Sequence, residues 1–182
     1  MSHARLIQTA LAGCLALALS IGAEASAHAQ DMSALKGYII DGFERQKRWD
    51  LAVIEAIPES ELRWAPADDM RNWAQQVVHS NNLFIAGAVT GAAPSVGLDE
   101  DSEEIYDKAY LAQAVGEAHD WLLAQLAEVD AADLAGEVEF FGRTMARWRV
   151  CLFALEHATW TRGQMVPYFH AHGIDVPQAQ LF

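Results

Sequence analysis

Apolar side chains recur at three-, four- and seven-residue intervals along four separate stretches of this chain, a spacing that gathers them on one face of a helix. In the first stretch Leu35, Ile39, Phe43, Trp49, Val53 and Ile57 predict a helix over Met32–Ile57, closed by Pro58. Trp73, Val77, Phe84 and Ala88 form the main stripe of a second, over Asn72–Thr90. A third, over Ser102–Val129, points Tyr110, Leu111, Val115, Trp121, Leu122 and Leu126 inward. The fourth, over Met145–His172, stops at Gly173 with Pro177 beyond it, and Trp148, Leu152, Leu155, Thr159 and Val166 are the face expected to be buried first.

The connections are polar or rich in turn residues. Glu59–Arg71 carries Leu62, Trp64 and Pro66, expected to tuck against one end of the helices, and Gly91–Asp101 reads as a flexible acidic loop. Ala135–Thr144 leaves two readings open, a short extended segment around Val138, Phe140 and Phe141 or an ordered loop. Four long helices joined in this way predict an all-α fold, a four-helix bundle.

The N-terminal residues have a different pattern. One positive side chain, Arg5, precedes an apolar run from Leu6 to Ala23, and small residues follow at Ala25-Ser26-Ala27 and Ala27-His28-Ala29. This is the layout of a secretory leader, with cleavage expected after Ala29 or, alternatively, Ala27. Residues 1–29 are therefore read as a signal peptide and residues 30–182 as one helical domain, periplasmic or secreted. Leu11-Ala12-Gly13-Cys14 has the composition of a lipoprotein signal, but Cys14 sits inside the apolar run rather than after it.

Cleavage would remove one charge of each sign and leave the net charge at −13. So acidic a domain has no general attraction for nucleic acid, and no basic face for an anionic membrane once the leader is gone. Cys151 would be the remaining cysteine, which precludes an internal disulfide, and among Val150, Leu152 and Phe153 it reads as a small buried apolar residue.

Candidate chemistry rests on histidines. His170 and His172, two apart at a helix end, diverge and are expected on the surface, and His119, beside Asp120 and Glu117, is expected to be solvated. His157 shares a face with Phe153, Thr161, Gln164 and Tyr168, separate from the stripe expected to be buried first. Such a second face is either an ordinary polar surface or the lining of a cleft. His79 stands with Leu83 and Ala86, off the main stripe of its helix, and periodicity alone does not separate a ligand from an ordinary polar residue there.

Three segments in order carry a resemblance. Glu61-Leu62-Arg63-Trp64-Ala65-Pro66 forms an early turn, and Asn72 to Phe84 is a helix containing His79. The last helix carries His157, Gly163, Gln164 and Tyr168, followed by Gly173, Ile174 and Pro177. This series resembles the DinB/YfiT-like superfamily of small four-helix bundles over nearly the whole of residues 30–182. The resemblance implies a divalent metal, zinc or nickel, held by one histidine of the second helix and two of the fourth. Those positions are His79, His157 and Thr161 here, and His170 stands where the family often has arginine. A threonine hydroxyl is a weak donor beside imidazole, thiolate or carboxylate.

The resemblance also implies a function class, metal-dependent transfer to low-molecular-weight thiols or hydrolysis of a small molecule. His79 and His157 would hold the ion while Thr161 and Gln164 orient water or substrate. The competing expectation is a metal-free module whose cleft, lined by Phe153, Trp160 and Tyr168, holds a small apolar or aromatic ligand. A third is an interaction protein that forms a homodimer through an exposed aromatic face.

Overall fold

A computed structural model describes residues 3–81, 84–92 and 98–178, with side chains from Gln30 onward except those of Phe84 and Ala86. The expected leader falls on residues whose side chains lie outside this set, as do Leu83 and the middle of the acidic loop. The helices are α1 (His3–Ala56), α2 (Trp73–Ser80), α3 (Phe84–Thr90), α4 (Lys108–Glu128), α5 (Arg147–Gly163) and α6 (Val166–Ala171), with a hairpin of β1 (Glu137–Phe140) and β2 (Arg143–Ala146) before α5. α1 packs on α4 and α5, and α5 also receives α2 and α3, giving the four-helix bundle expected from the periodicity.

Two of the helices secure each other's ends. Lys36 on α1 donates to the carbonyls of Ala127 and Val129 at the end of α4, at 2.7 and 2.6 Å. Lys108 at the start of α4 returns the contact, donating to Glu55 O near the end of α1 at 2.7 Å. An ammonium at a helix C-terminus satisfies orphan carbonyls and faces the negative end of the dipole.

The second and fourth helices are each broken where one continuous helix was expected. α2 starts from a reciprocal cap between Asn72 and Gln75 and stops at Ser80. There Ser80 Oγ and Asn81 Nδ2 both turn back on the Val77 carbonyl, at 2.7 and 2.9 Å, the local competition by which such side chains interrupt a helix. The last helix divides at Gln164–Met165 because Pro167, at the second position of α6, has no N–H to continue the ladder and would crowd the Gly163 carbonyl. α6 closes with Gly173 at φ 63°, Gly173 N donating to His170 O and Ile174 N to Phe169 O, which occupies the last carbonyls. The third helix begins later than expected: a 3-10 turn at Glu103–Tyr106 precedes the Asp107 cap of α4.

Of the two readings of residues 135–144, the extended one is found. β1 and β2 pair antiparallel from Glu137 opposite Ala146 to Phe140 opposite Arg143, around Phe141 and Gly142 at φ 49° and 71°. Two consecutive positive φ angles make the tight hairpin turn that asparagine and glycine usually supply. Phe141 is an uncommon occupant, so Phe141→Asn is expected to stabilise the domain by up to about 1 kcal/mol. A urea midpoint that stays level or falls would refute this.

The core has two parts. One gathers Ile54, Ile57, Leu62, Trp73, Leu111, Tyr168 and Phe169, the other Ile39, Phe43, Ile85, Leu122, Leu126, Val150 and Cys151. Leu62 tucks into the first as expected, while Pro66 stays exposed. Cys151 is fully buried, and that burial pushes its thiol up to about 12, so it is inert as a nucleophile.

The buried face of α5 is not the expected one. Val150, Cys151, Ala154, Ala158, Thr161 and Arg162 are buried, whereas Trp148, Leu152 and Leu155 are half-buried and Thr159 and Val166 exposed. Small residues let α5 approach its neighbours closely, and the bulky stripe is left along one side.

Candidate functional site

His79, near the end of α2, and His157, in the middle of α5, face each other with ring centroids 5.2 Å apart. Both are half-buried. His79 Nδ1 lies 2.8 Å from Glu100 Oε1, and the other oxygen of that carboxylate accepts from Arg71 Nε at 2.6 Å. A carboxylate can only accept, so the proton sits on Nδ1 and the lone pair of a neutral His79 is on Nε2. This is the arrangement that orients metal-ligating imidazoles. Phe153 stacks on His157 at 6.3 Å. Partial burial, then His79 and Arg71, hold the His157 imidazole below its ordinary value, leaving it neutral at pH 7.

A polar cleft of about 510 Å³, lined by neither histidine, shares Arg71 with this arrangement, and its lining also includes Asp69, Gln75, Gln76, Gln164 and Tyr168. Buried Gln76 ties its walls together: Nε2 donates to Thr161 O at 3.1 Å and to Gln164 Oε1 at 2.9 Å. Tyr168 donates its hydroxyl to Arg71 O at 2.7 Å, which fixes the backbone beneath the Arg71–Glu100 pair.

A second and larger hollow, a groove of about 940 Å³, lies between α1 and α5. The bulky stripe of α5 forms one wall through Leu152, Leu155 and Trp160, and α1 supplies Tyr38, Arg45 and Trp49. Gln164 borders this groove as well as the polar cleft.

Under the groove is a buried ionic cluster. Asp50 on α1 accepts from Arg162 NH1 at 2.8 Å and pairs with His119 Nε2 of α4 at 3.0 Å, all three residues being 5% exposed or less. His119 is thus a core residue rather than a solvated one. Burial alone would raise the Asp50 carboxyl, but the Arg162 guanidinium and His119 outweigh it and hold the group below the usual carboxylate range.

A family model of the DinB superfamily matches residues 43–165, more than half of the chain. The chain belongs to the DinB superfamily. Its fold is similar to that of a DinB-like protein from Bacillus cereus ATCC 10987, at 16% identity and a TM-score of 0.68 over 77% of this chain and 94% of that one. It is also similar to the DinB-like protein YjoA from Bacillus subtilis, at 18% identity and a TM-score of 0.62 over 79% of this chain and 97% of that one. Among curated proteins, none matches it significantly.

In this DinB-superfamily chain His79 and His157 come together, but the third expected position does not add a strong ligand. Thr161 is 1% exposed, one turn beyond His157. Among the described residues, no three His, Cys, Asp or Glu side chains converge as a metal-binding group. The donors present fit an ion held by two imidazoles, with water or substrate in the remaining positions, and do not fit a centre closed by three protein ligands.

The expected cleft of Phe153, Trp160 and Tyr168 is not formed. Phe153 packs toward Phe140 and His157, Trp160 borders the α1–α5 groove, and Tyr168 lines the polar cleft. Of the last two histidines, His170 is exposed as expected. His172 is instead half-buried against Trp64, with Nδ1 3.1 Å from Tyr168 O and Nε2 3.0 Å from Glu61.

Periodicity missed Glu100, Arg71 and Gln76. Glu100 and Arg71 lie in irregular segments, where spacing carries no signal. Gln76 sits on α2 beside Trp73 and Val77. Asp50 could have been found: Ile39, Phe43, Gln46, Asp50 and Val53 follow each other at helical intervals, placing two polar residues on a core stripe.

Proposed function

We propose that this DinB-superfamily member is exported and acts on a small molecule at the His79–His157 pair, which holds a divalent cation for metal-assisted hydrolysis or group transfer. The observation that carries the reading is the Glu100 carboxylate on His79 Nδ1, which turns the other ring nitrogen of that histidine into a ligand beside a second, neutral imidazole. A divalent ion held there would lower the pKa of a bound water or thiol and so generate a nucleophile near neutral pH.

The chain's own residues supply the rest. Arg71 holds Glu100 in place against His79. Gln76 and Gln164 present amide groups along the polar cleft and would orient the polar end of a substrate. Thr161 acts through its main chain, where its carbonyl anchors the Gln76 amide. The leader pattern at residues 1–29 supports export, and the acidic surface argues against a nucleic-acid substrate.

Calorimetric titration of Zn²⁺ and Ni²⁺ into protein starting at Gln30, free of affinity histidines, tests this reading. One equivalent should bind, binding should vanish in His79→Ala and in His157→Ala, and Glu100→Gln should weaken it about 10–100-fold. His172→Ala, a partly buried histidine in another pairing, should bind as the parent does. Binding that survives both histidine changes, or no binding by the parent, would sink the metal reading.

A further inference from the structure

We propose that the groove between α1 and α5 is a second binding site, independent of any metal, for an amphipathic carboxylate with an aromatic or aliphatic body and one anionic end. The groove has the size of a small-molecule site, and its walls are mostly apolar. It exists partly because α1 carries no side chain at Gly42: a Cβ there would meet Leu155 Cδ1 at 2.8 Å, and Leu155 instead lies across the helix as one wall. Two large aromatics stand at the groove with little cover, Trp160 at 71% and Tyr38 at 59% exposure. Exposed aromatic surface beside a concave apolar wall is the signature of a site that is covered in use.

Charge selects the anion. Arg45 is half-buried in the lining, its guanidinium 5.9 Å from the Tyr38 ring centre, and among the described residues it makes no ion pair. An unmatched cation in a lined groove is notable on a chain of net charge −13. A second cation borders the groove from below. Arg162 is 5% exposed, lies 4.4 Å over the Trp49 ring, and gives NH1 to Asp50 while its Nε has no acceptor among the described residues. Trp49 Nε1 is likewise buried without a partner among the described residues. Arg45 is the cation of the lining left without an ion pair among the described residues, and a carboxylate, which only accepts, complements it. Glu156, the carboxylate of the lining, stands on α5, whereas Arg45 stands on α1.

The probes are 2-naphthoate, dodecanoate and the neutral 2-naphthylmethanol, titrated calorimetrically into protein starting at Gln30 with chelator present. At least one carboxylate should bind with 1:1 stoichiometry, and Arg45→Gln should weaken it about tenfold or more, the scale of a lost charge-assisted hydrogen bond. Trp160→Ala should weaken it as well, with circular dichroism showing both variants folded. His79→Ala should leave it unchanged, which separates this site from the histidine pair. Naphthylmethanol should bind at least about tenfold more weakly than naphthoate and ignore Arg45→Gln. No carboxylate binding by 1 mM, or equal binding of acid and alcohol, would overturn the proposal. So would sedimentation showing a dimer that Trp160→Ala dissociates, because the groove would then be filled by a second copy.

Discussion

Asp50→Ala is expected to destabilise the domain by about 3–5 kcal/mol, because it leaves the Arg162 guanidinium buried without its counter-charge. Such a loss is a large share of the roughly 5–15 kcal/mol that holds a domain of this size together. The cost belongs to the unpaired partner rather than to the bond itself, and this has a testable corollary. Asp50→Leu combined with Arg162→Met removes both charges and should recover more than half of the loss, since well-packed apolar replacements of a buried pair are often neutral. Urea midpoints of the three proteins decide it; a double variant no better than the single one would mean that Asp50 acts through something other than Arg162.

The same carboxylate sets an acid limit. Its folded-state pKa lies below the ordinary value, so its contribution is fully present above about pH 4 and is lost as pH falls through the depressed folded value. The parent should therefore lose stability steeply below about pH 4, and Asp50→Ala should show a shallower fall over that range.

Trp73→Ala is the other large effect, about 3–5 kcal/mol from lost contacts and the cavity left behind. Trp73 is fully buried, with ring centroids 5.2 Å from Tyr168 and 4.6 Å from Phe169 in edge-to-face contact. Its main chain is anchored as well, Trp73 N donating to Trp64 O. The indole N–H, however, is buried with no acceptor among the described residues. Trp73→Phe keeps most of the ring contact and deletes that unsatisfied donor, so it should cost less than half as much as the alanine change. Equal urea midpoints for the two variants would show that the whole indole is needed.

The bundle was legible in the sequence because long apolar stripes constrain a helix strongly. Local chemistry that interrupts a stripe was less legible. Ser80 and Asn81 end α2, and Pro167 separates α5 from α6, while the stripe itself runs on past both. The misassigned face of α5 has a different cause. Ranking positions by apolar bulk favoured Trp148, Leu152 and Leu155, whereas close helix approach is made by Cys151, Ala154 and Ala158, and Leu152 and Leu155 are left to wall a groove.

For the candidate site, the resemblance paired His79 with His157, whose rings lie 5.2 Å apart, and spacing alone would not have joined them. Glu100 and Arg71 complete the arrangement from irregular segments, so their meeting with His79 is a property of the tertiary fold. His119 misled for the opposite reason. Its acidic neighbours in sequence suggested solvent, but its partner is an aspartate from α1.

The position of Gln164 has an energetic consequence. The residue lines both hollows, and Gln76, which lines the polar one, holds its side-chain amide. A guest on the α1–α5 side that draws this amide toward itself weakens its bond to Gln76, and so changes the free energy of anything lodged in the other hollow. By linkage the influence runs equally in reverse, so the two occupancies are coupled by one number with one sign.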